Sequence, residues 1–463
     1  MILLIIAGGL ALFSLVRVIS GANDLTSVGQ VRGALQLAVP IGLAGLGGLW
    51  AERAGVVNIG LEGMMILGTW FGAWAGFQWG PWTGVLVGIA GGALGGLLHA
   101  IITVTFNVNH IVSGVAINIL ALGVTAYLSN FTFAEAPGGS SKQSPRIDQI
   151  TAITVPGLSD WLADLQAKHW FFVSDLAGVL GGLVTDLSLL TVVALLLIPG
   201  SWWVLWRTGF GLRLRSCGEN PVAAESLGVN VYKYKYIAVV ISGGLAGLGG
   251  AFLAIVSTGL YQEGQTGGRG YIGLAAMIFG NWMPGGMALG AGLFGFTDSL
   301  KLRGGADNVL AVLLLIAFVI WLGVLWQLYR TKARAALAAV GLTTVLMVVY
   351  ALNQVSQRAK KPSDWLYGSW LGESYVATSL AVVAGLLAAA VLAVLLGERA
   401  WKPVIAVVTA AAVLVCYVVI DKIPSQFVDA APYVTTLLVL AVSAQRLRMP
   451  KADGMPYKKG QGK

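Results

Sequence analysis

The sequence is dominated by apolar stretches that are long enough to cross a lipid bilayer. About 14 of them approach the roughly 20 apolar residues that a transmembrane helix needs. Hydrophobic residues make up 57% of the 463 residues and charged residues only 11%, whereas soluble domains carry about 25% charged residues. This balance excludes an ordinary soluble enzyme, a disordered chain and a nucleic-acid-binding protein. We therefore expect an all-α polytopic membrane protein.

The predicted spans run along nearly the whole chain. They cover residues 2–20, 33–50, 59–78, 82–106, 109–131, 186–206, 236–257, 271–283, 285–300, 308–329, 335–352, 374–396, 402–420 and 430–444. The first span has no basic segment before it and no clean small-residue cleavage site after it, which favours an uncleaved anchor over a signal peptide. The 63 glycines are typical of membrane helices whose backbones approach closely.

Basic residues orient the predicted spans. The connection 207–235 carries five of them: Arg207, Arg213, Arg215, Lys233 and Lys235. Loops rich in Lys and Arg face the cytoplasm, so we expect this connection to lie inside the cell. Counting spans in both directions then puts both termini in the cytoplasm and the long segment 132–185 outside, with a short amphipathic piece around Trp161–Phe172.

Two short sequences occur twice in the same order. LAGLGG stands at 43–48 and 245–250, and IGLEGM at 59–64 is echoed by IGLAAM at 272–277. In the predicted topology the two copies run in opposite directions across the membrane. Inverted repeats that meet at short, glycine-interrupted segments are typical of transporters. We expect the irregular connections to be Glu52–Leu61 and Thr258–Ile272.

The connection between the two copies contains a short helix signal. Asn220 suits an N-cap, Pro221 suits the first helical position and Gly228 suits the end of the helix. The pattern predicts a helix over Val222–Leu227. A docking helix for a cytoplasmic partner and a solvated basic loop both fit it.

Motifs for nucleotide, metal and nucleophilic chemistry are missing from the sequence. There is no G-x-x-x-x-G-K-[ST], no H-E-x-x-H and no G-x-S-x-G, and Cys217 and Cys416 have no metal-site spacing. We therefore expect no catalytic residue, no metal and no cofactor on this chain. If ATP drives transport, another subunit hydrolyses it.

Three stretches resemble one family of membrane proteins. Residues 46–65, LGGLWAERAGVVNIGLEGMM, closely resemble the signature of permease subunits of nucleoside and simple-sugar ABC importers, a branch of the group that includes ribose and branched-chain amino-acid permeases. Ala223-Ala224-x-x-x-Gly228 matches the core of the permease loop pattern E-A-A-x-x-x-G, although Val222 replaces the Glu. The segments 432–440 and 454–457 are similar to the C terminus of the same subgroup.

The resemblance implies a permease core with two inverted repeats over 1–303. The repeats cover about 33–131 and 236–303, joined by the cytoplasmic coupling segment 207–235. Residues 304–421 depart from the family and add about four predicted spans, for which we assign no role. Residues 422–463 hold the last span and a basic cytoplasmic tail.

The resemblance also implies function and partners. Such a permease is not an enzyme; it pairs with a second, homologous permease, a cytoplasmic ABC ATPase and an extracytoplasmic substrate-binding protein or lipoprotein. It lies among lipids in the bacterial cell membrane and moves its cargo by alternating access. Nucleosides are the expected cargo and simple sugars the alternative. The residues expected to couple to the ATPase are Arg213, Arg215, Asn220, Pro221, Ala223, Ala224 and Gly228.

Glu62 and Asn58 are candidate pathway residues. Their spacing of four puts both on one face of a helix, and an ionisable side chain inside a membrane is a functional candidate because its burial is costly. Facing the pathway, they would bind ribose hydroxyls or the base. Alternatively, Glu62 pairs with Arg53 or with a helix N terminus and holds a re-entrant turn. Neutral cargo needs no charge, which favours the second interpretation.

His110 and Asn118 are a second pair of pathway candidates, eight residues apart and near one helix face. Contacts between helices are the alternative role for them. The glycines around Arg269 predict either a phosphate-binding nest of backbone N–H groups or a supported turn, and their place in an outside loop favours the turn. Two other functions also remain open: an ion-coupled secondary transporter, for which only Glu62 is a convincing carboxylate, and a membrane enzyme, for which we find no paired acids.

Overall fold

The computed structural model describes residues 2–20, 22–303, 315 and 447–460. The predicted spans after residue 303 and the additional segment 304–421 lie outside these residues, apart from the single position 315. The helices are α1 (Ile2–Ser20), α2 (Val28–Arg53), α3 (Leu61–Trp79), α4 (Pro81–Ala100), α5 (His110–Thr132), α6 (Leu158–Ala167), α7 (Val173–Gly182), α8 (Leu189–Arg207), α9 (Gly209–Glu219), α10 (Pro221–Ser226), α11 (Val231–Phe252), α12 (Arg269–Phe279) and α13 (Pro284–Arg303). Two short strands, β1 (Ala152–Ile153) and β2 (Leu187–Ser188), pair antiparallel.

The described residues divide into two compact units. The first comprises 2–20, 22–31, 156–183, 300–303 and 315. The second comprises 32–155, 184–299 and 447–460.

A buried ion pair organises the first unit. Arg17 on α1 donates from Nε to Oδ1 of Asp175 on α7 at 2.8 Å, and the Thr26 hydroxyl donates to the same oxygen. Both charged side chains are almost fully buried; each needs the other because an unpaired buried charge is costly. The amphipathic piece predicted around Trp161–Phe172 falls on α6 and the turn before α7.

Most of the long apolar helices belong to the second unit. Among the described residues, five helices are long and apolar enough to cross a membrane: Val28–Arg53, Pro81–Thr105, His110–Thr132, Leu189–Arg207 and Val231–Ser257. The second and the last of these include five-residue π-helical ends at Ile101–Thr105 and Leu253–Ser257. The chain is thus an all-α polytopic membrane protein, as the sequence predicts.

Glycines bring α4 and α11 into backbone contact. The two helices run antiparallel, so that Gly88 faces Gly247 and Gly96 faces Gly243. A Cβ atom on Gly92 would lie 2.3 Å from the carbonyl oxygen of Gly243, closer than real Cβ atoms approach. Inside a membrane the hydrophobic effect does not drive helices together, because lipid is as apolar as their side chains. Close packing through small residues holds them together instead. The glycine enrichment therefore predicts the packing correctly.

Each copy of the short repeated sequences lies beside a break in helical structure. LAGLGG ends a glycine-rich part of α2 and of α11, and non-helical connections follow at 54–60 and 258–268. The first lies within the predicted Glu52–Leu61, whereas the second is shorter than the predicted Thr258–Ile272, because α12 already begins at Arg269. IGLEGM spans the start of α3, whereas IGLAAM lies inside α12. That the two halves are inverted repeats stays a prediction.

Candidate functional site

The connection 54–60 is the starting point of the site. It leaves α2 after Arg53, takes a left-handed turn at Gly55 with φ of 81°, and stays non-helical until α3 begins at Leu61. Non-helical backbone at membrane depth is tolerated only where protein or a cavity supplies partners for its N–H and C=O groups. The side chains around this connection supply them.

Two histidines hold the peptide groups of Val57. The Val57 N–H donates to Nδ1 of His110 at 3.2 Å. His99 donates from Nε2 to the Val57 carbonyl oxygen at 3.0 Å, and its Nδ1 accepts from the Ser113 hydroxyl at 2.9 Å. Because a carbonyl oxygen only accepts, these bonds define the protonated nitrogen of His99. The predicted His110 is therefore a backbone support, and His99 is a second one that the sequence interpretation missed.

Asn58 is completely buried inside the same connection. Its amide nitrogen donates to the Ser242 hydroxyl of α11 at 2.9 Å, and its oxygen accepts from the Gly60 N–H at 3.1 Å. The prediction that Asn58 and Glu62 share a helix face is wrong. Helix α3 begins only after Gly60, so Asn58 precedes the helix and points to α11.

Asn118 joins three elements at the start of α3. Its oxygen accepts from the Gly63 N–H at 2.7 Å, and its nitrogen donates to the Ile59 carbonyl at 3.0 Å and to the Tyr271 hydroxyl at 2.8 Å. These bonds connect helices and their ends. They correspond to the second predicted alternative for Asn118, a role in contacts between helices. Tyr271 carries no sequence signal that singles it out.

Glu62 binds the N terminus of α12. Its two carboxylate oxygens accept from the N–H of Gly268 at 2.9 Å and of Gly270 at 2.7 Å, and its side chain is only 6% exposed. A carboxylate at a helix N terminus is favourable because the unpaired N–H groups point at it. Two backbone N–H groups of the predicted phosphate nest around Arg269 thus bind a carboxylate of the same chain instead. The predicted alternative partner, Arg53, instead donates to the Trp282 carbonyl at 2.6 Å.

The four predicted pathway residues therefore meet around one structural element. Each hydrogen-bonds the connection 54–60, the first turn of α3 or the start of α12. Their direct contact with a substrate stays a prediction.

A polar cleft lies at the opposite end of α2 from this connection. It encloses about 100 Å³. Arg32 and Asp186 form an ion pair across it, and Gln36, Gln149, Ser188 and Thr191 complete its polar lining. No sequence signal predicts this cleft, because its walls come from four separate segments that span more than 200 positions of the chain.

The predicted coupling helix exists with the predicted cap. Helix α10 begins at Pro221, and the Asn220 side-chain oxygen accepts from the Ala223 N–H at 3.0 Å. The helix ends at Ser226, and Gly228 follows with φ of 81°. Helix α9, which precedes the cap, lies in a segment that the sequence predicts to be a loop.

The predicted coupling residues differ in their surroundings. Arg213 is fully exposed, and its pKa is raised by a hydrogen bond with Tyr234. Arg215 is half-buried: it donates from Nε to the Leu205 carbonyl at 2.9 Å, and its guanidinium lies 5.4 Å from the Trp206 ring centre. Ala223 is exposed, whereas Ala224 is buried.

The C-terminal residues 447–460, which we call the C-terminal strap, lie against this region. The Arg448 N–H donates to Asn281 at 2.6 Å, and the Ala452 N–H donates to the Gly218 carbonyl at 2.9 Å. The Tyr457 hydroxyl donates to the Glu225 carboxylate of α10 at 2.7 Å. The sequence predicts a basic tail here, with 454–457 similar to the C terminus of the permease subgroup, but no signal predicts that this tail packs against α9 and α10.

Comparison with known proteins agrees with this architecture. The family described as branched-chain amino acid transport system / permease component matches residues 31–322, well over half of the chain. The chain belongs to this permease family. No solved structure matches the permease significantly.

Several curated relatives align with the permease over most of their length. It is 40% identical over 283 residues to the guanosine ABC transporter permease protein NupQ of Bacillus subtilis, covering 59% of this chain and 82% of that relative. It is 38% identical over 282 residues to the nucleoside ABC transporter permease protein NupC of Lactococcus lactis, covering 59% of this chain and 82% of that relative. It is 34% identical over 278 residues to the putative glucose ABC transporter permease protein TsgC13 of Haloferax volcanii, covering 60% of this chain and 78% of that relative.

Proposed function

We propose that this chain is the transmembrane permease subunit of a nucleoside importer, driven by a separate ATPase. The observation that carries the proposal is the 40% identity to a permease named for guanosine, over 82% of that relative's length. A second relative, at 38% identity, is named for nucleosides. The cargo moves by alternating access, and the chain itself hydrolyses no ATP and holds no cofactor.

A simple sugar is the second candidate cargo. The relative of 34% identity is named as a putative glucose permease. Purified substrate-binding protein of the same importer separates the two cargoes. We expect nucleosides to raise its midpoint of thermal unfolding and glucose and ribose to leave it unchanged; the reverse result would assign the importer to sugars.

The four buried polar residues border the substrate pathway in this proposal. Asn58, Glu62, His110 and Asn118 hold the connection 54–60 and its neighbours in one arrangement. A non-helical segment with its own side-chain supports is the part of a packed membrane core that can change arrangement without melting a helix.

The partners follow from the same proposal. A cytoplasmic ABC ATPase binds at α10, a second homologous permease completes the membrane part, and an extracytoplasmic binding protein delivers substrate. The importer lies in the lipid of a bacterial cell membrane with both termini in the cytoplasm. The basic residues of 207–235 and of the C-terminal strap support this orientation.

Substitution at α10 tests the docking role. Ala223→Arg places a large charged side chain on the exposed face, and we expect it to abolish co-purification of the ATPase while the midpoint of thermal unfolding stays unchanged. Ala224 is unsuitable because it is buried, so arginine there would disturb packing. Ala163→Arg, at an exposed alanine of α6, is the matched control. Intact assembly of Ala223→Arg would contradict the docking role.

A further inference from the structure

One face of the C-terminal strap is built into the permease. Tyr457 is buried, its ring lies 5.5 Å from that of Tyr232, and its hydroxyl binds Glu225. The Gly460 N–H donates to the same carboxylate at 3.3 Å. The strap therefore fixes α10 through its one acidic side chain.

The buried face also reaches the supports of the connection 54–60. Tyr457 lines a cavity of about 10 Å³ together with His110 and Lys235, room for about one water molecule. Met455 also contributes to this lining, although it is more than half exposed. Lys235 in turn donates from Nζ to the Gly55 carbonyl at 3.3 Å. The strap thus contacts both α10 and the surroundings of the connection.

The opposite face of the strap is exposed and partly apolar. Met455 is 58% exposed, and Leu227, which directly follows α10, is 86% exposed. Both lie at the end of the protein that carries the polar helices α9 and α10, not along a helix that is apolar enough to cross a membrane. Large apolar side chains exposed in such a setting are candidate contacts for a protein partner.

The charge on this face is positive. Arg213, Lys458 and Lys459 are exposed. The Glu225 carboxylate already accepts the Tyr457 and Gly460 bonds, which hold its pKa below the usual range. Glu219, at the end of α9, is the nearby exposed acid on the coupling segment. A partner with an apolar pocket and an acidic rim would complement the face.

We propose that α10 and the C-terminal strap form one composite docking surface, and that its occupant is the cytoplasmic ATPase. Leu227 and Met455 are its apolar contacts, Lys458 and Lys459 face acidic groups of the ATPase, and Tyr457 positions α10 through Glu225. This inference rests on the proposed function, in which α10 is the ATPase site, and adds the strap to that site.

An anionic membrane surface is the other partner that lysines attract. The contacts favour the ATPase, because the strap is hydrogen-bonded to α10. Membrane binding is therefore an outcome that the experiment must detect.

The test measures binding of the purified wild-type ATPase to the permease complex in nanodiscs of neutral lipid. We expect Met455→Glu, and separately Lys458→Glu with Lys459→Glu, to weaken binding at least tenfold and to leave the midpoint of thermal unfolding unchanged. Met455→Lys is expected to weaken binding less than Met455→Glu, since a lysine suits an acidic rim. Met449→Glu is the matched control: Met449 is 54% exposed and follows Arg448, which is bonded to Asn281 at the other end of the strap.

Tyr457→Phe tests positioning. It keeps the ring and removes the hydroxyl that binds Glu225, so we expect weaker stimulation of ATP hydrolysis by the permease together with weaker binding. Stimulation and binding equal to wild type would overturn the positioning role of Tyr457.

The outcomes separate the inference from the function on which it rests. If Ala223→Arg abolishes binding while all the strap variants bind like wild type, the inference is wrong and the docking role of α10 stands. If Ala223→Arg binds normally, the docking role itself fails. If the lysine variants bind the ATPase normally, but their strap no longer binds the lipid surface of nanodiscs that contain anionic lipid, the strap is a membrane-surface element. The inference is then overturned.

Discussion

Glu62 of α3 accepts a hydrogen bond of 2.7 Å from the backbone N–H of Gly270, in the first turn of α12. A second bond, from Gly268 at 2.9 Å, occupies the other carboxylate oxygen. One acidic side chain therefore fixes the depth at which α12 begins. Since an 11-residue helix spans only about half of a bilayer at 1.5 Å per residue, its N terminus needs such a partner inside the protein.

Removal of this carboxylate should destabilise the protein. Glu62→Ala leaves two N–H groups without their acceptor, and an unpaired buried donor costs about 1 to 3 kcal/mol. We expect a lower midpoint of thermal unfolding in detergent. Glu263→Ala is the control. Glu263 is 42% exposed and lies 4.0 Å from Lys142, and an exposed ion pair of this kind contributes little to the free energy of unfolding. Unchanged stability of Glu62→Ala with lost substrate binding would instead assign Glu62 to the substrate.

The contact between α4 and α11 predicts a second stability effect. In Gly92→Ala the new methyl group would lie 2.3 Å from the Gly243 carbonyl and 2.5 Å from the Gly247 Cα atom. The helices must separate, at a cost of about 1 to 3 kcal/mol, so we expect a lower midpoint of thermal unfolding. Gly123→Ala on α5 meets nothing within 4 Å and should be neutral or slightly stabilising. Equal effects of the two substitutions would show that the close approach is not needed.

Attachment of the C-terminal strap should depend on pH through Asp453. Burial raises the pKa of this carboxyl from 3.8 to about 7; Glu52 is its hydrogen-bond partner, and Lys235 and Arg53 are the cations around it. An attached strap then binds the proton more tightly than a detached one. Attachment is therefore strongest at low pH, weakens by up to tenfold per pH unit as the pH rises from about 4 to about 7, and stays constant above that.

A spin label on Lys459→Cys, in a background without the two native cysteines, measures the detached fraction by its mobility. We expect more mobile label at pH 8 than at pH 5.5. Asp453→Asn, which mimics the protonated acid, should keep the label immobile at both values. Equal pH dependence in both proteins would contradict the role of Asp453.

Local signals were the part of the structure that the sequence predicted best. The Asn220 cap, the proline at the first position of α10 and the glycine after it all act within nine residues, and the structure has them. The wrong prediction that Asn58 shares a helix face with Glu62 also has a local cause. The spacing of four implies a shared face only if the helix has already begun, and it begins after Gly60.

Contacts between distant residues could be predicted only as candidates. The sequence singled out both Glu62 and the glycines around Arg269, but nothing within it joins residues 206 positions apart. The Tyr457–Glu225 bond crosses 232 positions, and a basic tail with few apolar residues carries no signal that it packs. His99 escaped attention because a lone histidine in an apolar helix becomes meaningful only when the unpaired backbone of Val57 lies beside it.

Uptake by reconstituted proteoliposomes tests the central claim most directly. The vesicles contain the purified permease complex and external binding protein, and labelled guanosine is supplied outside, with or without the ATPase and internal ATP. We predict guanosine accumulation only when the ATPase and ATP are both present. Accumulation by this chain without the ATPase, driven by an ion gradient, would contradict the account.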